Sequence, residues 1–583
     1  MRKRSDDRQT HGSGYAEPLG AGVARKKSVV LMVGHCADSL GFVKESPTRR
    51  ELAMATGAAP QTRLASLDQF RGYTVAGMFL VNYLGGFIVC PYILKHHNTY
   101  CSYADTIMPQ FFFAVGFSLR LSFGRRVMQQ GLGTAYWHMA KRLIGLALVA
   151  IFITYQGSPD LKGAPFTWDT MKNLGVWGAV HDSLKREWFQ TLMHIAVTSL
   201  WILPVIRMNA IWRILYMIGS ALIHLGISHV FYFNWVNASP AGIDGGPFGF
   251  LTWTIPTMIG TLACDAALRP GSRGGTLARI FAGSVVVLAL GWIASCATRL
   301  YDMTPAEVFG LKQDQNAQDA ERNKLGDQKH QLGKKIDAET AAVDRINAQI
   351  AEIMRVRLRA LVEKLLGTPI SRQFPPPRLI DEAEKQLQSE QAPENVPKLT
   401  AELQAHKVEI AKLRSEVAEL DDKLRAFGDL KLARNPVIPP QQDWKGRTWK
   451  DLVAEPPFVP PPADDPRIDV PPYELHRYWN YWMMSQRCGT ISYLTFGAGI
   501  SLAVYGLFFL LSDMIGVKIG VFRTLGTNAL FGYVLHDITG DAVKKFVPKD
   551  VPPTVMWISF AVFFYITWLF MRSLEKQKIY IKL

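Results

Sequence analysis

The sequence predicts an all-α protein, a polytopic membrane helix bundle of about ten spans with an extracytoplasmic coiled-coil hairpin inserted into it. Three observations carry this. Apolar runs of bilayer length recur along the chain, Lys and Arg gather in alternate loops, and one long polar stretch repeats apolar residues at heptad spacing. With 583 residues, 48% of them hydrophobic, and 15 tryptophans, the chain has material for more than one domain. Its overall hydropathy is near neutral because an apolar part and a very polar part average out.

Residues 1–60 are polar, and their one apolar run, 29–33, is far shorter than a signal peptide's hydrophobic region. They read as a disordered cytosolic tail, with Met54 as an alternative start. A span needs roughly 20 mostly apolar residues. The runs 73–94 and 104–123 supply two, followed by 135–155, 191–206, 211–231, 248–268 and 277–296, and, after the polar stretch, by 490–511, 524–538 and 555–571.

Orientation follows from the short loops. With the N-terminus inside, the inner loops hold Arg120, Arg125, Arg126, Lys141 and Arg142, then Arg207 and Arg213, Arg269, Arg273 and Arg279, Lys518 and Arg523, and a basic C-terminal tail. The outer loop 234–246 has neither Lys nor Arg, whereas Lys544, Lys545 and Lys549 run against the pattern in the last outer loop. Both termini are therefore expected in the cytosol of a cell-membrane protein, with 298–487 outside.

Within that outer stretch, Leu332, Ile336, Val343, Ile346, Ile350 and Ile353 follow a heptad spacing, and Leu399, Leu403, His406, Ile410, Leu413, Val417, Leu420, Leu424 and Phe427 repeat it. Two helices joined by a Pro-rich turn around Phe374 predict an antiparallel coiled-coil hairpin over 298–434, its first arm on the order of 60 Å long at 1.5 Å per residue. His406 falls on the seam as a register-setting polar residue. The hairpin would meet a partner protein or a second copy of the chain. A Pro-rich, extended linker, 435–487, leads back to the membrane and ends in an aromatic cluster, Tyr478 to Trp482, placed for an interfacial belt. The expected divisions are thus 1–60, 61–297, 298–434, 435–487 and 488–583. Cys296 and Cys488 flank the insertion and either staple its neck or stand as isolated thiols; no Cys/His cluster has metal spacing.

Chemistry is expected in the polar hairpin between the first two spans, which holds His96 and His97 with Asp105 at the mouth of the second span. Histidine titrates near neutrality, so either one suits a general base or an acyl carrier. Asp105 would orient the imidazole, or, in Ser102-x-x-Asp105, serve as a plain helix capping box. Ser66-x-x-Gln69 makes a second such box. Asp68 and Arg71 lie at the inner end of the first span, either paired together or turned, with Arg125 and Arg126, toward phosphates. Asn82 and Asn528 are costly within spans unless they face the bundle, as packing contacts or as substrate contacts.

The stretch Ser66-Leu67-Asp68-x-Phe70-Arg71-Gly72-x-Thr74-Val75-Ala76-Gly77-Met78, with Val81-Asn82, resembles the opening signature of the heparan-alpha-glucosaminide N-acetyltransferase family. His97, Tyr100, Ala104, Asp105, Pro109, Val115 and Gly116 are similar to its next block, though tyrosine stands where tryptophan is expected and the hairpin is about two residues short. Gly249 to Pro256 and Gly526-Thr527-Asn528-Ala529-Leu530 resemble later segments, while Leu192-Met193-His194-Ile195 stands where relatives carry Leu-Gln-Arg-Ile. The resemblance covers most of the membrane part and neither the tail nor the insertion. It implies an acyltransferase moving an acetyl group from acetyl-CoA, a co-substrate rather than a bound cofactor, to a sugar or envelope glycan at the outer face. It implies His97 or His96 with Asp105 as catalytic residues, and Asp68, Arg71, Asn82, Arg125, Arg126 and Asn528 as donor contacts. Polar residues in spans also fit a transporter or flippase of a lipid-linked sugar, and the coiled coil fits an inactive scaffold. No nucleic-acid partner is expected.

Overall fold

The computed structural model describes residues 64–580 apart from 155–170, 173–176, 178–179, 182, 239–240, 369–375, 390–392, 394, 428–429, 440–445 and 459–476. The expected tail 1–60 with Met54, the turn at Phe374 and residues 440–445 and 459–476 of the Pro-rich linker lie outside the described residues.

Among the described residues the fold is all-helical, without a strand. In chain order the principal helices are α1 (Ala65–Leu84), α2 (Tyr103–Gln130), α3 (Leu132–Thr154), α4 (Thr191–Ile202), α5 (Ala210–Ile227), α6 (Phe250–Leu268) and α7 (Arg273–Cys296). Then come α8 (Pro305–Leu366), α9 (Pro377–Ser389), α10 (Asn395–Ala426), α11 (Ile491–Phe508), α12 (Gly520–Thr527), α13 (Ala529–Lys544) and α14 (Pro553–Lys576). Among the described residues six stretches are long and apolar enough to cross a membrane: Tyr103–Gln130, Leu132–Phe152, Ala210–Asn237, Arg273–Tyr301, Ile491–Ile515 and Pro553–Lys576.

The other sequence runs fall short for physical reasons. Helix α4 with its following turn, Thr191–Val205, is apolar but short. Helix α1 carries Asp68, Gln69, Arg71 and Asn82. Helix α6 carries four threonines whose hydroxyls return to carbonyls three or four residues back, as Thr254 does to Phe250 and Thr257 to Trp253. A self-satisfied hydroxyl suits a helix wrapped in protein, and α6 is buried along most of its length. The run 524–538 is broken at Asn528 (φ −127°, ψ 45°), between α12 and α13.

The described residues form two compact units, one joining those up to Cys90 with those from Leu507 on, the other made of those within Pro91–Gly506. In the first, α1 and α12 meet backbone to backbone: a Cβ on Gly72 would stand 1.7 Å from the Phe522 carbonyl oxygen, and one on Gly526 2.2 Å from that of Asp68. Small residues permit such crossings where apolar burial gives helices little reason to associate. The expected capping box at Ser66 is not formed. Helix α1 starts at Ala65, so Ser66 lies inside the first turn, where its N–H donates to Asp513 Oδ1 (3.3 Å). Gln69 instead exchanges two hydrogen bonds with the Ile519 backbone (3.0 and 3.2 Å).

In the second unit the same device joins α2 to α6, where added Cβ atoms at Gly116 and Gly260 would fall 1.9 and 2.1 Å from the carbonyl oxygens of Thr257 and Phe113. Beyond α7, α8 rises behind a capping box, Thr304 to Glu307, and runs for 62 residues, about 93 Å at 1.5 Å each. It is longer than the spacing predicts because it starts well before the first heptad residue. Helix α10 runs antiparallel to it: Lys329 pairs with Asp421 (2.7 Å), and Glu339 with His406 (2.5 Å). Ile346, Ile410 and Leu413 are buried. Helix α9, for which the sequence gives no expectation, packs Ala383 against Leu361 and Val362.

The neck of this insertion is closed by ions and backbone. Cys296 and Cys488 are free thiols. Arg477, 3% exposed, donates to Asp302 (2.5 Å) and Glu455 (3.0 Å), and Arg299 reaches the same two carboxylates. The aromatic cluster after it packs on protein: Tyr481 is fully buried with its hydroxyl 2.7 Å from His224 Nδ1, and the Trp482 indole donates to the Val437 carbonyl (2.9 Å).

Candidate active site

The polar hairpin does form a site, and it is built on the first turn of α2. Ser102 is the N-cap: its hydroxyl accepts from the Asp105 N–H (3.3 Å), and its own N–H donates to Asp105 Oδ2 (3.0 Å). The capping reading of Asp105 is therefore correct, and it leaves the other oxygen available. Asp105 Oδ1 accepts from His96 Nδ1 at 2.9 Å. The His97 backbone N–H also turns to this carboxylate (3.2 Å). Asp105 is 1% exposed while the His96 side chain is 49% exposed, so a buried anion holds an imidazole open to its surroundings.

Pro109 strengthens the arrangement indirectly. Lacking an N–H, it leaves the Asp105 carbonyl without its helical donor four residues on, and the Tyr493 hydroxyl supplies one at 2.7 Å. His97 is directed elsewhere. Its Nε2–H donates to the Tyr92 carbonyl (2.9 Å), and its ring stacks on Tyr100 with centroids 4.4 Å apart.

Two further loops reach this point. Asp244, 4% exposed and at φ 55°, accepts from Gln486 Nε2 (2.8 Å), while its carbonyl accepts from the Trp253 indole (2.7 Å). The loops are tied by Gly245 N–H to the Arg487 carbonyl (3.0 Å) and Arg487 N–H to Asn98 Oδ1 (3.1 Å). Burial pushes the Asp244 carboxyl up to about 6, against the opposing pull of the Gln486 hydrogen bond and the His96 charge. For His96, half-exposed yet set among these loops, partial desolvation favours the neutral ring, but the hydrogen bond and charge of Asp105, followed by the charge of Asp244, outweigh it and raise the pKa. Neither Asp244 nor Gln486 has a sequence signal beyond the absence of Lys and Arg from 234–246.

The remaining sequence candidates fall elsewhere. Arg125 is exposed and Arg126 half-buried near the C-terminal end of α2, about 30 Å from Asp105 at 1.5 Å per residue. Asp68, Arg71, Asn82 and Asn528 belong to the other compact unit. There Asp68 and Arg71 are half-buried, and Asn528 donates to the Ile579 carbonyl (2.8 Å), which ties down the segment following α14. The Asn82 amide nitrogen lies 3.0 Å from Nε2 of His536, a buried ring stacked on Phe79. Among the described residues no three His, Cys, Asp or Glu side chains converge as a metal-holding group.

No protein-family model matches the chain, and comparison with curated protein sequences returned no match.

Proposed function

We propose that the chain is a membrane-embedded acyltransferase that moves an acetyl or other acyl group from acyl-CoA to a sugar or envelope glycan, with His96 as the base. The observation that carries this reading is the 2.9 Å bond from His96 Nδ1 to Asp105. A carboxylate only accepts, so Nδ1 holds the proton and Nε2 keeps its lone pair. The acceptor's amine or hydroxyl attacks the thioester carbonyl and passes its proton to Nε2. The C–S bond breaks as the tetrahedral centre collapses, and the imidazolium returns the proton to the departing sulfur. If the acceptor is slow, the same Nε2 can take the acyl group first. Asp105 holds the ring and stabilises its charged form, and Asp244 adds a second negative charge nearby.

The resemblance to the heparan-alpha-glucosaminide N-acetyltransferase family supports this reading, with His96 in place of His97. The reading keeps about ten spans in the cell membrane, both termini in the cytosol, and the α8–α10 pair outside as a coiled coil for a partner or a second copy.

The test is purified protein in liposomes with acetyl-CoA, following CoA release and the mass of the peptide containing His96 and His97. His96→Ala should lose about 10²–10⁴ of CoA release, the usual share of a general base, and His97→Ala far less. Equal rates for wild type and His96→Ala would end the proposal.

A further inference from the structure

Helix α7 divides its faces the opposite way from a helix in water. The side it buries carries Thr276, Ser284, Gly291 and Ser295, while Val285, Val286, Leu290 and Ile293 are exposed. Small and hydroxyl-bearing residues toward protein and branched apolar ones outward suit a helix bathed in lipid. Residues 280–298 carry no charge and make about 28 Å of helix at 1.5 Å per residue, close to the ~30 Å hydrocarbon thickness of a bilayer. Arg279 and Arg299 bracket that stretch, so Arg299 marks the height of the bilayer surface from which the insertion departs.

A strap of the returning chain, 447–454, is pinned to α7 at this height. The Arg447 guanidinium donates to the Arg299 carbonyl at one end, and the Ala454 N–H donates to Cys296 Sγ (3.4 Å) at the other. Between them Thr448 starts the short turn Trp449–Leu452, its N–H donating to Asp451 Oδ2 (2.8 Å). A turn held at both ends cannot change its height. Yet its Trp449 is 72% exposed, Val453 is exposed too, and the Lys450 ammonium lies 5.9 Å from the Trp449 ring centroid. Tyr481 and Trp482, where the sequence places an interfacial belt, pack on protein instead. An indole joins an apolar ring to a single N–H donor, which fits the boundary between acyl chains and headgroups. We propose that this strap is a membrane-interface anchor, with Trp449 and Val453 entering the lipid headgroup layer and fixing the neck of the insertion at the bilayer surface. The anchor rests on α7 crossing the bilayer, as in the reading above, and not on acyl transfer.

The experiment uses full-length protein in liposomes of dioleoyl phosphatidylcholine and dioleoyl phosphatidylglycerol. The photoreactive residue p-benzoylphenylalanine replaces Trp449, Leu290 midway along α7, or Val408, an exposed residue of α10. After irradiation, intact mass reads lipid adducts, gel mobility reads protein cross-links, and the unfolding temperature checks that each variant is folded. Lipid adducts are expected at 449 and 290 and none at 408. Lipid at 290 with none at 449 overturns the anchor and leaves the span standing. A cross-link from 449 to a second protein chain overturns it as well, since protein then covers the turn. Labelling at 408 as strong as at 449 also overturns it, because the contact would not be particular to the neck. No lipid at 449 or 290 overturns the anchor together with the span.

Discussion

His96 Nδ1 donates to Asp105 Oδ1 at 2.9 Å while Oδ2 of the same carboxylate accepts from the Ser102 N–H at 3.0 Å. One side chain therefore starts a helix and holds a base. The two duties fall on different oxygens, which makes them separable by substitution.

Asp105→Asn leaves one oxygen to serve both. If it keeps the cap, the cost in stability stays near 1 kcal/mol, yet His96 loses its neighbouring charge. With Asp105 gone as an anion, the His96 pKa falls, so the rising limb of CoA release against pH moves toward acid and the maximal rate drops. The profile of Asp105→Asn beside wild type, from pH 5 to 9, checks this; an unmoved limb would mean that His96 is not the titrating base.

Asp244 gives a signed effect on stability. Its carboxyl, near 3.8 when exposed, is held at about 6 by burial. The native state therefore binds the proton more tightly than the unfolded chain, and this stabilisation, full below about pH 4, is lost as pH rises through 6. Two pKa units correspond to about 3 kcal/mol at most. Asp244→Asn should match wild type near pH 4 and unfold at a higher temperature above pH 6.5. A constant difference across that range would show that the carboxyl is not perturbed.

The Tyr493 hydroxyl substitutes for the N–H that Pro109 lacks. Tyr493→Phe should cost about 1–3 kcal/mol through an unsatisfied buried carbonyl. In a Pro109→Ala background the helix supplies its own donor to the Asp105 carbonyl, and the same change should cost much less. A double-mutant cycle on unfolding temperature measures the coupling; additive costs would argue against it.

Ion pairs, not sulfur, close the neck of the insertion. Burial opposes the charge of Arg477, but Asp302 and Glu455 raise its pKa above the usual arginine value. Arg477→Met leaves Arg299 alone against those two carboxylates, a loss of at most about 3–5 kcal/mol for a broken buried pair, and should speed proteolysis between 440 and 480. A reductant should leave both stability and proteolysis unchanged, since Cys296 and Cys488 are free. Protection lost on reduction alone would point to a disulfide.

How much of this was legible in the sequence depended on how local each feature is. His96, Asp105 and the Ser102 cap lie within ten residues of each other, so spacing alone brings them together. Which histidine turns to Asp105 depends on Tyr92 and Tyr100 holding the other ring, and a doubled histidine does not reveal that. Asp244 and Gln486 come from loops 242 residues apart, and an acid in a Gly-rich loop reads as an ordinary turn. The heptads of α8 and α10 mark the antiparallel pair, but not where α8 begins, because a long polar helix continues past its last apolar contact. The buried threonines of α6 lower its hydropathy, so a helix deep in the protein falls short of the span lengths and hydropathies of its more exposed neighbours.

The backbone contacts at Gly116 and Gly260 have a mechanical consequence. Helices that touch through their main chains have no side-chain cushion, so α2 and α6 can neither slide past one another nor roll without collision. Helix α2 therefore behaves as a fixed strut, with the Asp105–His96 bond at one tip and the Arg120–Asp265 ion pair toward the other.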